Sequence, residues 1–172
     1  MRNIVLTGFM GSGKTSVGLK LSEILNINFI DTDSLIIKKF NMPIEDIFKI
    51  YGERRFREVE EEVIKEISEN QDLIISTGGG VVLNKNNIEY LRKNGIIYYL
   101  HTSPEVVFER IKDDTSRPLL QNKDKLKTII NLMNFRIPFY KNCDYEVNTD
   151  NMKIEEIVDK ILNIHLKKET TR

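Results

Sequence analysis

Apolar and polar positions alternate between two periods along the chain, and that alternation is the first sign of its architecture. Ile4-Val5-Leu6-Thr7 is a short continuous apolar run, the pattern of a strand covered on both faces. From Lys14 to Leu25, the residues Val17, Leu21, Ile24 and Leu25 recur at helical spacing. Asn28 to Ile30, Leu73 to Ser76, Ile96 to Leu100 and Tyr145 to Asn148 read as four further strands. Helices are expected between them. One runs from Ser34 to Phe40, and a second starts with Pro43 in its first turn and reaches Ile50. Gly52 breaks that second helix. A third, from Glu53 to Glu69, has Phe56, Val59, Val63 and Ile67 on one face and mostly charges elsewhere. Asn84 caps a helix reaching Lys93, which Gly95 ends, and Ser103-Pro104-Glu105 starts another containing Val106, Val107 and Ile111. Lys123 to Tyr140 is helical, with Pro138 expected to kink or loosen its last turn. The final helix spans Ile154 to Leu166, and the polar residues 167–172 are expected to fray. Strands alternating with helices predict an α/β fold, a three-layer sandwich around a five-stranded parallel sheet.

Composition narrows this picture without changing it. The 172 residues suit a single domain. Lys plus Arg and Asp plus Glu both number 26, so charge gives no case for nucleic acid or an acidic membrane surface as a partner. One cysteine, Cys143, excludes an intramolecular disulfide framework and suits a reducing cytoplasm. It is expected to pack rather than react, and His101 and His165 form no metal-ligand pattern. No signal peptide, membrane span, repeat or linker is recognisable.

The stretch Gly8-Phe9-Met10-Gly11-Ser12-Gly13-Lys14-Thr15 lies between the first strand and the first helix. Gly8, Gly13, Lys14 and Thr15 match G-x-x-x-x-G-K-[ST], the phosphate-binding P-loop. Glycines let backbone N–H groups curl around phosphate oxygens, and the following helix adds the positive end of its dipole. Lys14 can reach the β- and γ-phosphates, and the Thr15 hydroxyl can ligate Mg²⁺. A dinucleotide-binding G-x-G-x-x-G read from Gly11 and Gly13 fails, because Ser16 stands where its third glycine belongs. Asp31 and Asp33 sit at the end of the second strand, where a sheet with a P-loop has its ligand crevice. Gly78, Gly79 and Gly80 follow the third strand, which suggests a close backbone approach. Residues 113–122 are polar, lack periodicity and lie between helices, as lids do.

A P-loop by itself names no reaction. No Asp is followed three residues later by Gly, and no N-K-x-D motif occurs, so a GTPase is disfavoured. The length argues against a motor module and leaves small-molecule kinases. Taken in order, the P-loop, Asp31-Thr32-Asp33, Phe56-Arg57-Glu58-Val59-Glu60, Thr77-Gly78-Gly79-Gly80, Arg117-Pro118-Leu119-Leu120 and Arg136 to Tyr140 closely resemble shikimate kinase over nearly the whole chain. The resemblance implies the P-loop NTPase fold of the nucleoside-monophosphate-kinase type, with a mobile lid. It implies MgATP as phosphoryl donor and the 3-hydroxyl of shikimate as acceptor, in a cytoplasmic monomer.

The resemblance also implies roles. Lys14, Asp33 and Arg117 carry the catalysis. Gly11, Ser12, Gly13, Lys14, Thr15, Ser16, Arg110, Arg117 and Asp150 bind ATP, with Arg110 stacked on the adenine. Arg57 and Arg136 hold the shikimate carboxylate, a job suited to bidentate guanidinium groups. Asp33, Gly78, Gly79 and Gly80 contact the ring, within a substrate segment of about residues 33–60. Thr15 ligates Mg²⁺, and Asp31 reaches it through water. Glu60 is expected to brace Arg57 rather than touch substrate. Competing readings are another small-molecule kinase, such as one for gluconate, and a nucleotide-binding module without turnover. The triple glycine and paired arginines argue against the first. Intact Lys14, Thr15, Asp31, Asp33 and Arg117 argue against the second.

Overall fold

The computed structural model describes residues 1–112 and 124–170. Five strands, β1 (Asn3–Thr7), β2 (Asn28–Asp31), β3 (Leu73–Ser76), β4 (Gly95–His101) and β5 (Tyr145–Asn148), form one sheet in the order β2-β3-β1-β4-β5. All four neighbouring pairs are parallel. The helices are α1 (Lys14–Leu25), α2 (Thr32–Phe40), α3 (Ile44–Ser68), α4 (Lys85–Asn94), α5 (Pro104–Ile111), α6 (Lys125–Tyr140) and α7 (Ile154–Thr170). Each strand lies within one residue of its position predicted from the sequence.

Side chains alternate across a strand, so each central strand feeds two cores. Ile4 and Leu6 of β1 pack with Val17 and Leu21 of α1 and with Ile157 and Ile161 of α7. Val5, between them, packs with Ile64 of α3, Leu91 of α4 and Met133 of α6. The result is the expected three-layer sandwich. A third cluster contains no strand residue: Ile36 of α2 meets Ile47, Phe56, Val59 and Val63 of α3. The strands of the centre are buried up to His101 at the end of β4, whereas edge strands β2 and β5 are more exposed. This is why β1, β3 and β4 read as continuous apolar runs.

Several local expectations are refined. Gly52 is non-helical, with φ 76° and ψ 167°, so α3 consists of two helical arms that meet at a kink, where the break was expected. Pro43 precedes that helix, with ψ 152°, instead of occupying its first turn. α6 passes through Pro138 to Tyr140, and the Lys141 N–H closes on the Ile137 carbonyl. The expected fraying from Lys167 does not hold as far as Thr170, because α7 continues to that residue. Ile157, Val158, Ile161 and His165 are buried along one face of α7, and packing of the last turns outweighs the polar sequence.

His165 itself is fully buried, with Nδ1 3.1 Å from the Tyr98 hydroxyl. Burial pushes its pKa below 6.5, outweighing the opposing charge of Glu169. The unfolded chain therefore takes up this proton more readily than the folded one, and stability falls as pH drops below the unfolded value. Chemical denaturation between about pH 8 and pH 5 should show this loss, and His165→Phe should reduce the slope.

Candidate active site

Parallel pairing places the carboxyl ends of all strands along one edge, and the site is built from the segments leaving that edge. After β1 the chain turns through 8–13 into α1. Gly11 and Gly13 have φ of 75° and 93°, a region that favours glycine. Lys14 curls back over this loop, with Nζ donating to the Gly8 carbonyl at 2.8 Å and the Phe9 carbonyl at 2.9 Å. Arg110 of α5 reaches across and donates to the Gly11 carbonyl at 2.9 Å. Between these parts lies a cavity of about 490 Å³. The loop residues Gly11, Ser12, Gly13, Lys14, Thr15 and Ser16 line it, together with Asp31, Asp33, Gly79 and Arg110.

The ends of β2 and β3 are tied together by short polar bonds. Asp31 caps α2, accepting from the Ser34 N–H at 3.0 Å, and its other oxygen accepts from the Ser76 hydroxyl at 3.1 Å. The buried Thr32 hydroxyl accepts from the Gly78 N–H at 3.0 Å. Asp33 is thereby held against the glycine triplet. A Cβ on Gly78 would lie 2.5 Å from Asp33 Oδ1, and one on Gly80 would lie 2.5 Å from Arg57 Nη1. None of the three glycines has positive φ. They are required for room, not for backbone freedom.

Arg57 and Arg136 come to this loop from different helices, as expected. Arg57 Nη1 donates to both oxygens of Glu60 at 3.0 and 2.8 Å, and Nη2 to Glu53 at 3.3 Å. The Glu60 side chain is only 2% exposed. Burial raises its pKa, and the Arg57 charge opposes that rise. The contacts of Glu60 are those of a brace on Arg57. Arg136 is buried, places Nη1 3.5 Å from the Gly79 carbonyl, and stacks its guanidinium over Phe9 at 5.7 Å. Its Nε has no hydrogen-bond partner among the described residues. Two guanidinium groups with donor capacity next to a phosphate loop suit an anionic ligand bearing hydroxyl groups.

One expected site residue stands apart from the cavity, and one is not among those described. The Asp150 carboxylate accepts from the Ser103 N–H at 3.0 and 3.2 Å, so it caps the start of α5 and does not line the cavity. Arg117, with the expected lid of residues 113–122, lies outside the described residues. Other contributors were not read from the sequence. Met152, Ile154 and Ile157 form an apolar wall of the cavity, but the helical spacing of the two isoleucines marks them as core. Thr32 and Ser76 fix the acidic segment, and a hydroxyl residue between two aspartates at a strand end was the available signal. Tyr140 donates to the Gly79 carbonyl at 2.6 Å.

Comparison with known proteins agrees with this geometry. A model of the shikimate kinase family matches residues 10–165. The chain is 57% identical over 172 residues to a shikimate kinase of Caldicellulosiruptor saccharolyticus, covering 100% of both chains. Its fold matches that of shikimate kinase from Acinetobacter baumannii in complex with shikimate, with a TM-score of 0.92, 36% identity, and coverage of 98% of this chain and 94% of that one. Shikimate kinase from Aquifex aeolicus matches with a TM-score of 0.82 and 38% identity, covering 98% of each chain. With the phosphate loop, the acidic strand end and the paired arginines in place, the chain belongs to the shikimate kinase family.

Proposed function

We propose that the chain transfers the γ-phosphoryl group of ATP to the 3-hydroxyl of shikimate, giving 3-phosphoshikimate and ADP. The observation carrying this reading is the convergence of Asp33, Arg57 and Arg136 on the glycine triplet beside the P-loop cavity. Shikimate pairs a carboxylate with three ring hydroxyls. Arg57 and Arg136 bind the carboxylate. Asp33 accepts from ring hydroxyls and orients or deprotonates the one that attacks. Gly78, Gly79 and Gly80 admit the ring. The loop 11–16 cradles the phosphates, and Lys14 leaves the loop carbonyls to meet the β- and γ-oxygens as ATP enters. Arg110 and the apolar wall flank the nucleotide, and Asp150 supports that region through α5. Arg117 adds a cation to the transferring group, from a lid of residues 113–122. Phosphoryl transfer needs mainly such positioning and charge neutralisation.

The donor set also fits Mg²⁺. Thr15 and Asp31 offer hard oxygens and line the same cavity. Both Asp31 oxygens already accept hydrogen bonds, which suits contact through water, since Mg²⁺ retains much of its hydration. Bound there, the ion would neutralise charge on the phosphates. A single kinase domain acting as a cytoplasmic monomer is part of the same proposal. The cytoplasmic part of it is supported by the single cysteine, which suits a reducing compartment. No described helix is long and apolar enough to cross a membrane.

The reading is tested by Mg²⁺-dependent ADP release from ATP with shikimate, gluconate, a nucleoside monophosphate or no acceptor. Stimulation by shikimate alone is expected, and its absence would overturn the assignment. Arg57→Ala should raise the shikimate KM by on the order of a hundredfold and leave the ATP KM near its original value. Asp33→Asn should instead lower kcat severely, and steady-state kinetics separate the two effects. Because burial raises the Glu60 pKa, its carboxylate protonates at higher pH than an exposed one, and the brace on Arg57 weakens. The shikimate KM should therefore rise as pH falls, and Glu60→Gln should be high in KM and nearly flat with pH.

A further inference from the structure

Arg136 and Tyr140 are four residues apart on α6 and share one face of it. Both end on Gly79. A Cβ built there would lie 3.6 Å from Arg136 Nη1 and 3.6 Å from the Tyr140 hydroxyl. The hydroxyl donates to the Gly79 carbonyl at 2.6 Å. Tyr140 is 1% exposed, and its ring stacks on Tyr99 of β4 with centroids 4.9 Å apart and planes 7° apart. Tyr99 stacks in turn on His101, at 5.6 Å. Phenylalanine would fill the same space, so packing explains the ring but not the hydroxyl. Burial pushes the Tyr140 pKa up to about 12, and the group remains a donor across the working range. On its other side Gly79 faces the P-loop, its Cβ position 3.7 Å from the Gly8 carbonyl.

We infer that Tyr140 is a positioning residue for the acceptor site: its hydroxyl clamps the Gly79 carbonyl and so fixes the glycine triplet, against which Asp33, Arg57 and Arg136 are set. The clamp is anchored on the sheet through the stack of Tyr140 on Tyr99. The triplet has no side chains of its own to hold its place, so an external hydrogen bond supplies what packing cannot. Gly79 also borders the P-loop, so a loosened triplet shifts the acceptor relative to the phosphates while leaving the nucleotide loop itself intact.

This inference rests on shikimate being the acceptor, and wild-type enzyme run in parallel separates the two claims. Tyr140→Phe keeps the ring and its stack. It should raise the shikimate KM, and the Kd measured by calorimetry without nucleotide, by on the order of fivefold. The ATP KM should stay within about twofold, and Tm should fall by only a few degrees. Tyr140→4-aminophenylalanine places an N–H donor at the same point and should recover most of the shikimate affinity. Unchanged shikimate constants in Tyr140→Phe, equal weakening of both substrates, or no recovery with the amine would each overturn the clamp. A wild-type enzyme that neither binds nor phosphorylates shikimate would instead remove the acceptor assignment, and the clamp's role with it.

Discussion

Parallel strand pairing is the constraint on which this molecule depends. Each ladder runs in the same direction, so every strand delivers its next segment to one edge of the sheet. The order β2-β3-β1-β4-β5 then decides which segments meet. β3 inserts between β1 and β2, so the glycine triplet falls between the phosphate loop and the acidic segment. That adjacency is what lets Thr32 bond Gly78 and Ser76 bond Asp31. The phosphate loop, the glycine triplet and the acidic segment are neighbours because of sheet order.

The acceptor side is an electrostatic problem solved by pairing. A buried carboxylate or guanidinium is costly unless it is matched and hydrogen-bonded. Glu60 is buried, but both its oxygens accept from Arg57. Arg57 is also fixed by Glu53 and lies against the Phe56 ring at 5.1 Å. Its guanidinium is thus held in one orientation by three hydrogen bonds. Arg136 differs. It is buried, its Nε has no hydrogen-bond partner among the described residues, and the Phe9 ring face offsets part of the lost solvation. One arginine is braced and the other retains unused donor capacity, a division that suits a site receiving an anion rather than storing one.

Legibility in the sequence followed locality. The phosphate loop, the five strands and the Glu60 brace are each set by residues close together in the chain, and their spacing was sufficient. The meeting of Arg136 with Gly79 spans 57 positions, and composition and periodicity contain no trace of it. Only resemblance to a family placed Arg136 in the site. Asp150 illustrates the opposite difficulty. Ser103 has the residue type of a helix cap but makes no side-chain cap bond. Thr102 and Thr149 join their hydroxyls at 2.7 Å where β4 and β5 end, and this brings the Asp150 carboxylate to the Ser103 N–H. A cap supplied across two strands has no local signature. The extension of α7 to Thr170 was missed for a related reason: the buried His165 face, not helix propensity, holds that turn.

The two glycine clusters look alike in sequence and answer different physical demands. In the phosphate loop, Gly11 and Gly13 have positive φ, and a side chain there strains the backbone. In the triplet the backbone angles suit other residues, and what a Cβ would meet is Asp33 at one position and Arg57 at another. Of these, Arg57 is held in place by Glu53 and Glu60. A methyl group at Gly78 or Gly80 would therefore displace Asp33 or Arg57. The triplet is consequently required for the placement of these two side chains. Because it lacks side chains of its own, it is held through its backbone, by the Thr32 and Tyr140 hydroxyls and by the N–H groups of Val81 and Leu83.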